Sequence, residues 1–435
     1  MEDVGYEIYD LVRELYPICR SLTGDGVRES LRLVGGQVAL ETTEVPSGTR
    51  VYDWTVPKEW NIRDAWIADA SGNHVVDFSE SNLHVLGYSI PMRGKLTLAD
   101  LRPHLHTIPE HPDWIPLRTS YYHENWGFCL AHSLLEELTE GVYEICIDSS
   151  LEPGSLTYAE SYLPGETSDE VLISTYVCHP SVCNDGVSGI ALVTMLAKYL
   201  RAFRLRYSYR FLFSPGTIGP LTWLSRNEGR LGHVKHGLVA SCVGDSGMIT
   251  YKQTFQGSAE IDQAAANALR ASGDEHRILP FVPWGGDERQ FSSPGFRLPV
   301  GALMRTPPGS FPEYHSSADD LTFVQPEFLG DSFNKYIAVL EVLEGNGTYV
   351  NLNPKGEPQL GRRGLYHEIS SGAPGAEATI ERAVLWVLSL SDGGNTLLDI
   401  SDRSAIPFPV IRKAADALAE RGLLAEKQPQ GGKAR

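Results

Sequence analysis

The chain has 435 residues, 42% hydrophobic and 21% charged, with a formal net charge of −18. That length suits two or three domains with a sizeable core. The acidic balance disfavours non-specific binding to nucleic acid or to an anionic membrane, and no apolar run approaches the roughly 20 residues of a bilayer-spanning helix.

The opening stretch MEDVGYEIYDLVRELYPICRSLTG is acidic and amphipathic and lacks the basic start and apolar core of a signal peptide. Six scattered cysteines, Cys19, Cys129, Cys146, Cys178, Cys183 and Cys242, read as reduced thiols. Together these features predict a cytoplasmic protein.

Ile8, Leu11, Val12 and Leu15 recur at helical spacing, so residues 6–35 are expected to form one or two helices. From Thr42 to Leu96, short alternating runs split by turn residues predict a small antiparallel β unit. From Asp148 the pattern alternates strand and helix. EVLISTYVCHP, LRYSYRFLFS, HGLVASCVGD and RLPVGALMR read as strands, and GVSGIALVTMLAKYLRAF, GPLTWLSRNEGRL, AEIDQAAANALRASG and PEFLGDSFNKYIAVLEVLEG as helices. This predicts an α/β fold with a mostly parallel-containing mixed sheet flanked by helices. Beyond Asn351, three helices, the last two joined by a turn around Ser404–Pro409, predict a winged helix-turn-helix, followed by a disordered tail KQPQGGKAR. The expected domains are a discontinuous α/β domain (1–40 and 115–348), an inserted small β domain (41–114) and a winged-helix domain (349–435).

Ligands of parallel α/β proteins gather beyond the carboxyl ends of the strands. His179 follows VLISTYVC, Asp185 lies in CNDGVSG, Asp245 follows LVASCVG, and His315 sits in PEYHSSADD. Two imidazoles and two carboxylates suit zinc. Taken singly, Asp185 reads equally as a helix N-cap and Asp245 as a turn former.

The segments CHPSVCNDGVSG, SPGTIG, CVGDSG, GGDERQFSSPGFRLPVGALMRTPPGSFPEYHSSADD and PQLGRRGLYHEI resemble a bacterial family. Its members carry an aminopeptidase-like zinc-hydrolase domain, an inserted β domain and a C-terminal winged helix; DWTVPKEWNIRDAWI and TSYYHENWGFC match the insert. The catalytic domain is in turn similar to co-catalytic zinc aminopeptidases. That resemblance implies one zinc on His179, Asp185 and Asp245, with Asp185 bridging to a second zinc that also takes His315. It also implies a Glu-Glu pair on the turn after a strand, the first member being the general base. That pair falls on Gly216 and Thr217, so the base position is blank and the second ligand is a neutral hydroxyl. One zinc is expected more than two.

Glu313 and Glu288 are the candidate replacement bases, and His123 and Glu124 are expected to border the cleft. Tyr121, Tyr122, Trp126 and Trp284 are candidate pocket walls, and Arg289 and Arg305 candidate clamps for a substrate carboxylate. Cys178 and Cys183 flank His179 as weaker ligand candidates. The C-terminal module from Asn351 carries 11 basic and 10 acidic residues. Its candidate recognition helix has Arg412 and Lys413 but also Asp416 and Glu420, which favours packing or dimerisation over DNA reading. The expectation is a zinc-dependent hydrolase acting on an amide, peptide or related acyl bond of a small molecule or short peptide. It is expected not to bind membrane and to form a symmetric homo-oligomer. The alternative is a catalytically impaired or repurposed relative that binds a ligand or partner or serves another biosynthetic step.

Overall fold

A computed structural model describes residues 2–365 and 376–427. The end of the PQLGRRGLYHEI segment and most of the predicted tail lie outside the described residues. The chain divides into two compact units, residues 1–257 with 277–334, and residues 258–276 with 335–435.

An eight-stranded mixed sheet dominates the first unit. In chain order its strands are β1 (Glu41–Pro46), β2 (Ser155–Leu163), β3 (Glu170–Tyr176), β4 (Ser208–Ser214), β5 (Val234–Ala240), β6 (Ile249–Lys252), β7 (His276–Leu279) and β8 (Val300–Met304). Their spatial order is β1-β2-β4-β3-β5-β8-β6-β7. The four central strands β4, β3, β5 and β8 run parallel, while β1–β2, β2–β4 and β6–β8 pair antiparallel. Every residue of β3 and β4 is buried, as expected of parallel strands covered on both faces. The mixed α/β architecture predicted from the strand–helix alternation is therefore present.

After β3 the chain passes to β4 on one side and to β5 on the other. This reversal opens a crevice at the carboxyl ends of the central strands, the place where such sheets bind ligands. Helix Ser188–Leu200 leaves that edge and is buried along nearly all its length. It packs closely because Gly189 has no side chain: a Cβ there would stand 2.4 Å from Ala240 O and 2.7 Å from Thr175 Oγ1. Gly189→Ala is therefore expected to cost about 1–3 kcal/mol by overpacking. Urea denaturation checks this; an unchanged midpoint would show that helix and sheet can separate freely.

A second, wholly antiparallel sheet has the order His74–Asp77, Glu59–Ala68, Val142–Glu152, Met92–Thr97. Its membership departs from the expected boundaries at 41 and 115. Strand β1 belongs to the large sheet through β2, and Val142–Glu152 lies at the centre of the small one. A strand's own residues do not name the sheet it joins; a distant partner decides membership.

In the second unit, strand Thr348–Asn351 pairs antiparallel with Asp392–Thr396 and with Leu424–Glu426. Helices Ala376–Leu390, Leu397–Ser404 and Phe408–Glu420 complete a winged helix, as predicted. The turn between the last two helices holds Ala405 at φ 55° ahead of Pro407. Helix Glu260–Ser272, expected in the α/β domain, groups with this unit: Asn267 Nδ2 donates to Ser401 Oγ and Asp402 Oδ1, and Arg270 pairs with Asp402 at 2.6 Å.

Candidate metal centre and its cleft

The chain leaves β3 at Tyr176 and reaches His179 in a left-handed conformation, φ 69°. Six residues later Asp185 (φ −85°, ψ 77°) and Gly186 (φ 125°) break the start of the following helix. Only glycine adopts that second conformation without strain. The kink turns the fully buried Asp185 carboxylate beneath the end of β3. The loop is held from the far end of the sequence, because Asp319 accepts the backbone N–H groups of Asn184 and Asp185 at 2.6 and 2.9 Å.

His315, at φ 57°, arrives from the loop after β8, stacked on Tyr314 at 3.9 Å between centroids. Its Nε2 lies 2.9 Å from Asp185 Oδ2, and His179 Nδ1 lies 3.7 Å from the same oxygen. The ligand atoms of His179, Asp185 and His315 all fall within 4.8 Å of one another. Tyr176 Oη hydrogen-bonds the other carboxylate oxygen of Asp185. Asp185 Oδ2 and His315 Nε2 are buried without a regular hydrogen-bond partner. With His315 Nε2 unprotonated, the two atoms facing one space suit a divalent cation. Burial lowers the His179 imidazole to about 4, with Asp185 opposing, which favours the neutral form that binds metal. Burial pushes Asp185 up, but His179 and His315 outweigh it and hold the carboxyl at about 2.

Asp245 does not join this cluster. Its carboxylate accepts Asn184 Nδ2 (2.8 Å), Gly247 N–H (2.7 Å), Thr306 Oγ1 (2.5 Å) and Thr306 N–H (3.3 Å). Four donors saturate it and turn it into a brace between the loops after β3, β5 and β8.

A cavity of about 560 Å³ opens over the cluster; Tyr121, Tyr122, Gly216, Thr217, Asp287 and Arg289 are among its walls. Of the pocket candidates, Tyr121, Tyr122 and Arg289 belong to that wall. Trp126 does not line the cavity; it stacks on His104 at 3.6 Å. Trp284 is 77% exposed and also outside it. Arg305 is spent on Asp331 (2.7 Å) and Gly247 O (2.9 Å). Glu288 is buried and neutralised by Lys252 Nζ at 2.6 Å, and half-buried Glu313 is not part of the cavity wall. Glu124 pairs with Lys58 at 2.5 Å, and His123 is exposed. Burial raises the thiols of Cys178 and Cys183, keeping them protonated, and neither joins the cluster.

The turn after β4 carries Gly216 and Thr217, where the resemblance predicts a missing base. Gly216 lies in the cavity wall, and Thr217 sits at φ 60°, ψ −68°, a conformation that a β-branched residue rarely takes. Its N–H donates to Asp287 Oδ1 at 2.8 Å. Asp287 was missed in the sequence. The neighbours Asp287 and Glu288 are both acidic, and nothing in GGDERQ tells which one faces the cleft.

Comparisons place this geometry among known proteins. Residues 9–346 match a family described as a domain of unknown function, DUF4910, and residues 347–426 match a winged helix-turn-helix family. A protein of Clostridium acetobutylicum is 53% identical over 422 residues, covering 97% of this chain and 96% of the relative. Its name assigns it, provisionally, to polysaccharide biosynthesis with an aminopeptidase-like domain. A crystal structure from Clostridium acetobutylicum, provisionally described as a peptidase, superposes with a TM-score of 0.93 at 51% identity, over 98% of this chain and 97% of that one. A zinc aminopeptidase from Bacillus subtilis superposes with a TM-score of 0.57 at 11% identity, over 78% of this chain and 94% of that one, which shows a shared fold. With an aminopeptidase-like α/β fold, a match spanning most of its length and a winged helix behind it, this chain belongs to the DUF4910 family.

Proposed function

We propose that the protein is a divalent-metal-dependent hydrolase, with zinc the preferred ion, cleaving an amide or related acyl bond of a small substrate. The observation that carries this reading is the convergence of His179, Asp185 and His315 within 4.8 Å at the floor of an open cavity. These three residues would hold one ion; with Asp245 engaged elsewhere and Gly216 and Thr217 lacking carboxylates, the donor set supports one site, not two. A bound divalent ion supplies Lewis acidity toward a carbonyl oxygen and toward water. The protein contributes aromatic walls at Tyr121 and Tyr122 and a guanidinium at Arg289, suited to an acyl or amino-sugar group bearing a negative charge.

The test pairs metal analysis with turnover. Protein purified with zinc is offered aminoacyl anilides, acyl esters and N-acetylated amino sugars, before and after chelation. Turnover that chelation removes and zinc restores is the expected result. Failure to bind any divalent ion would end the reading.

Gly216 favours a second reading, a repurposed chain that binds without hydrolysing. Gly216→Glu separates the two. A Cβ at this position would stand 3.2 Å from Cys178 Sγ, a tight contact that requires the thiol to give by a few tenths of an ångström. If another group already serves as base, the variant stays within about threefold of the natural rate, whereas a gain of about 10²-fold or more would show that the natural chain lacks a base. For the winged helix, a packing or dimerisation role is the proposal. Arg412 of its last helix is tied to Gly345 O at 2.6 Å and to Asp416, which leaves little of it for phosphate.

A further inference from the structure

We infer that Asp287 carries the proton in this cleft, in the role that Gly216 leaves vacant. The inference rests on the hydrolase reading above and adds a residue to it. Asp287 is 4% exposed, yet it belongs to the cavity wall. Oδ1 is tied to the Thr217 N–H, while Oδ2 is buried with no hydrogen-bond partner. A side chain needed only to cap one N–H would not require a carboxylate: asparagine or serine would do so without burying an ionisable oxygen.

The surrounding backbone is arranged to keep this carboxyl in place. Gly285 at φ 115° and Gly286 bring the chain over the cleft, and a Cβ on Gly286 would press on Glu288 Oε2 at 2.8 Å. From the other side, Thr217 is held in its strained conformation with its N–H on Asp287. Strain of this kind persists where the surroundings enforce it and clusters at functional sites. The turn whose residues correspond to a Glu-Glu pair in the resembling aminopeptidases thus holds, through its main chain, an acid donated by a different loop.

Asp287 titrates in a useful range. Burial raises it to about 7; the Thr217 N–H opposes, Glu288 adds to the rise, and Arg289 lowers it. The charged and titratable groups facing it are Glu288 and Arg289 on its own turn, Cys178 from the segment after β3, and Lys252 of β6 acting through Glu288. A base with a pKa near the working pH transfers protons most effectively. As the oxygen of water bonds to the acyl carbon, Asp287 takes a proton from it. As the carbon–nitrogen bond breaks, that proton passes to the departing nitrogen. One acyl amide and one water become one acid and one amine, and the carboxylate is regenerated.

Asp287→Asn, with Asp287→Glu as a second variant, tests the role in the zinc-loaded full chain. Asp287→Asn is expected to keep natural zinc content, to lose about 10²–10⁴-fold in kcat with little change in KM, and to lose the rise in rate through about pH 7. Asp287→Glu is expected to recover part of that loss and to restore the rise. A readout independent of turnover follows from linkage. The native state retains the Asp287 proton between about pH 4 and 7 while the unfolded chain has lost it, so native stability falls as pH rises across that window. The urea midpoint of Asp287→Asn should therefore rise relative to the natural protein from pH 5 to pH 8. An Asp287→Asn variant with natural kcat and an unchanged pH profile overturns the inference while the hydrolase stands. So does a midpoint difference that is the same at both pH values. A zinc-loaded natural protein that turns over no acyl substrate brings down the hydrolase reading itself and this role with it.

Discussion

On the metal reading proposed above, replacing His315 with alanine should abolish stoichiometric zinc binding and the stabilisation that zinc would confer. His315 supplies one of three converging ligand atoms, and His179 Nδ1 and Asp185 Oδ2, left 3.7 Å apart, would hold an ion by two donors only. Structural and catalytic zinc sites alike draw on at least three protein ligands, so two are too few for tight binding. The effect on stability follows from mass action. With free zinc at about 1,000 times its dissociation constant, the natural protein should gain about 4 kcal/mol on loading, and the variant almost nothing. Metal content after dialysis and the melting temperature with and without zinc measure the two effects. Asp245→Asn provides the contrast: because that carboxylate braces Asn184, Gly247 and Thr306, the variant should lose stability while keeping its zinc. An Asp245→Asn protein that is stable but metal-free would move Asp245 back into the ligand set.

The second large effect lies at the opposite end of the central strands. Arg210, only 4% exposed, donates Nε and Nη2 to Glu170 at 2.7 and 2.8 Å and Nη1 to Glu160 at 2.8 Å. Trp223 Nε1 adds a fourth bond to this cluster, donating to Glu160 at 2.8 Å. Arg210→Ala would leave Glu170 buried with, among the described residues, only Arg230, at 3.6 Å, in reach. Removing one partner of a buried ion pair costs about 3–5 kcal/mol, because the other charge stays desolvated. Urea denaturation of Arg210→Ala should show a loss of that size. Arg210→Met combined with Glu170→Gln should recover much of it, since the stranded charge is then gone. A loss below about 1 kcal/mol in the single variant would mean that water reaches Glu170.

Much of this molecule was legible in the chain before any coordinates. Predominantly apolar runs at β3 and β4 announce central parallel strands, because such strands are covered on both faces. The polar residues His179 and Asp185 after β3, and His315 after β8, are conspicuous against that background. The two-helix turn near Pro407 marks the winged helix. Sheet membership was harder to read. Nothing in the residues of Glu41–Pro46 or Val142–Glu152 names the sheet each joins, and their hydrogen-bonded partners assign one to each.

The sequence by itself determined the order of strands and helices and the set of residue types that collect at one sheet edge. Periodicity and composition act locally, and both survive in a one-dimensional record. The tertiary structure alone decided which of those residues work together. Asp245 is withdrawn by donors from Asn184 and Thr306; Glu288 is withdrawn by Lys252, while its neighbour Asp287 is turned to the cleft by the N–H of Thr217. Each choice depends on a partner tens of residues away and on backbone angles at His179, Thr217 and His315 that local preference opposes. A side chain's role is settled by competition among hydrogen bonds that only the folded chain brings within reach.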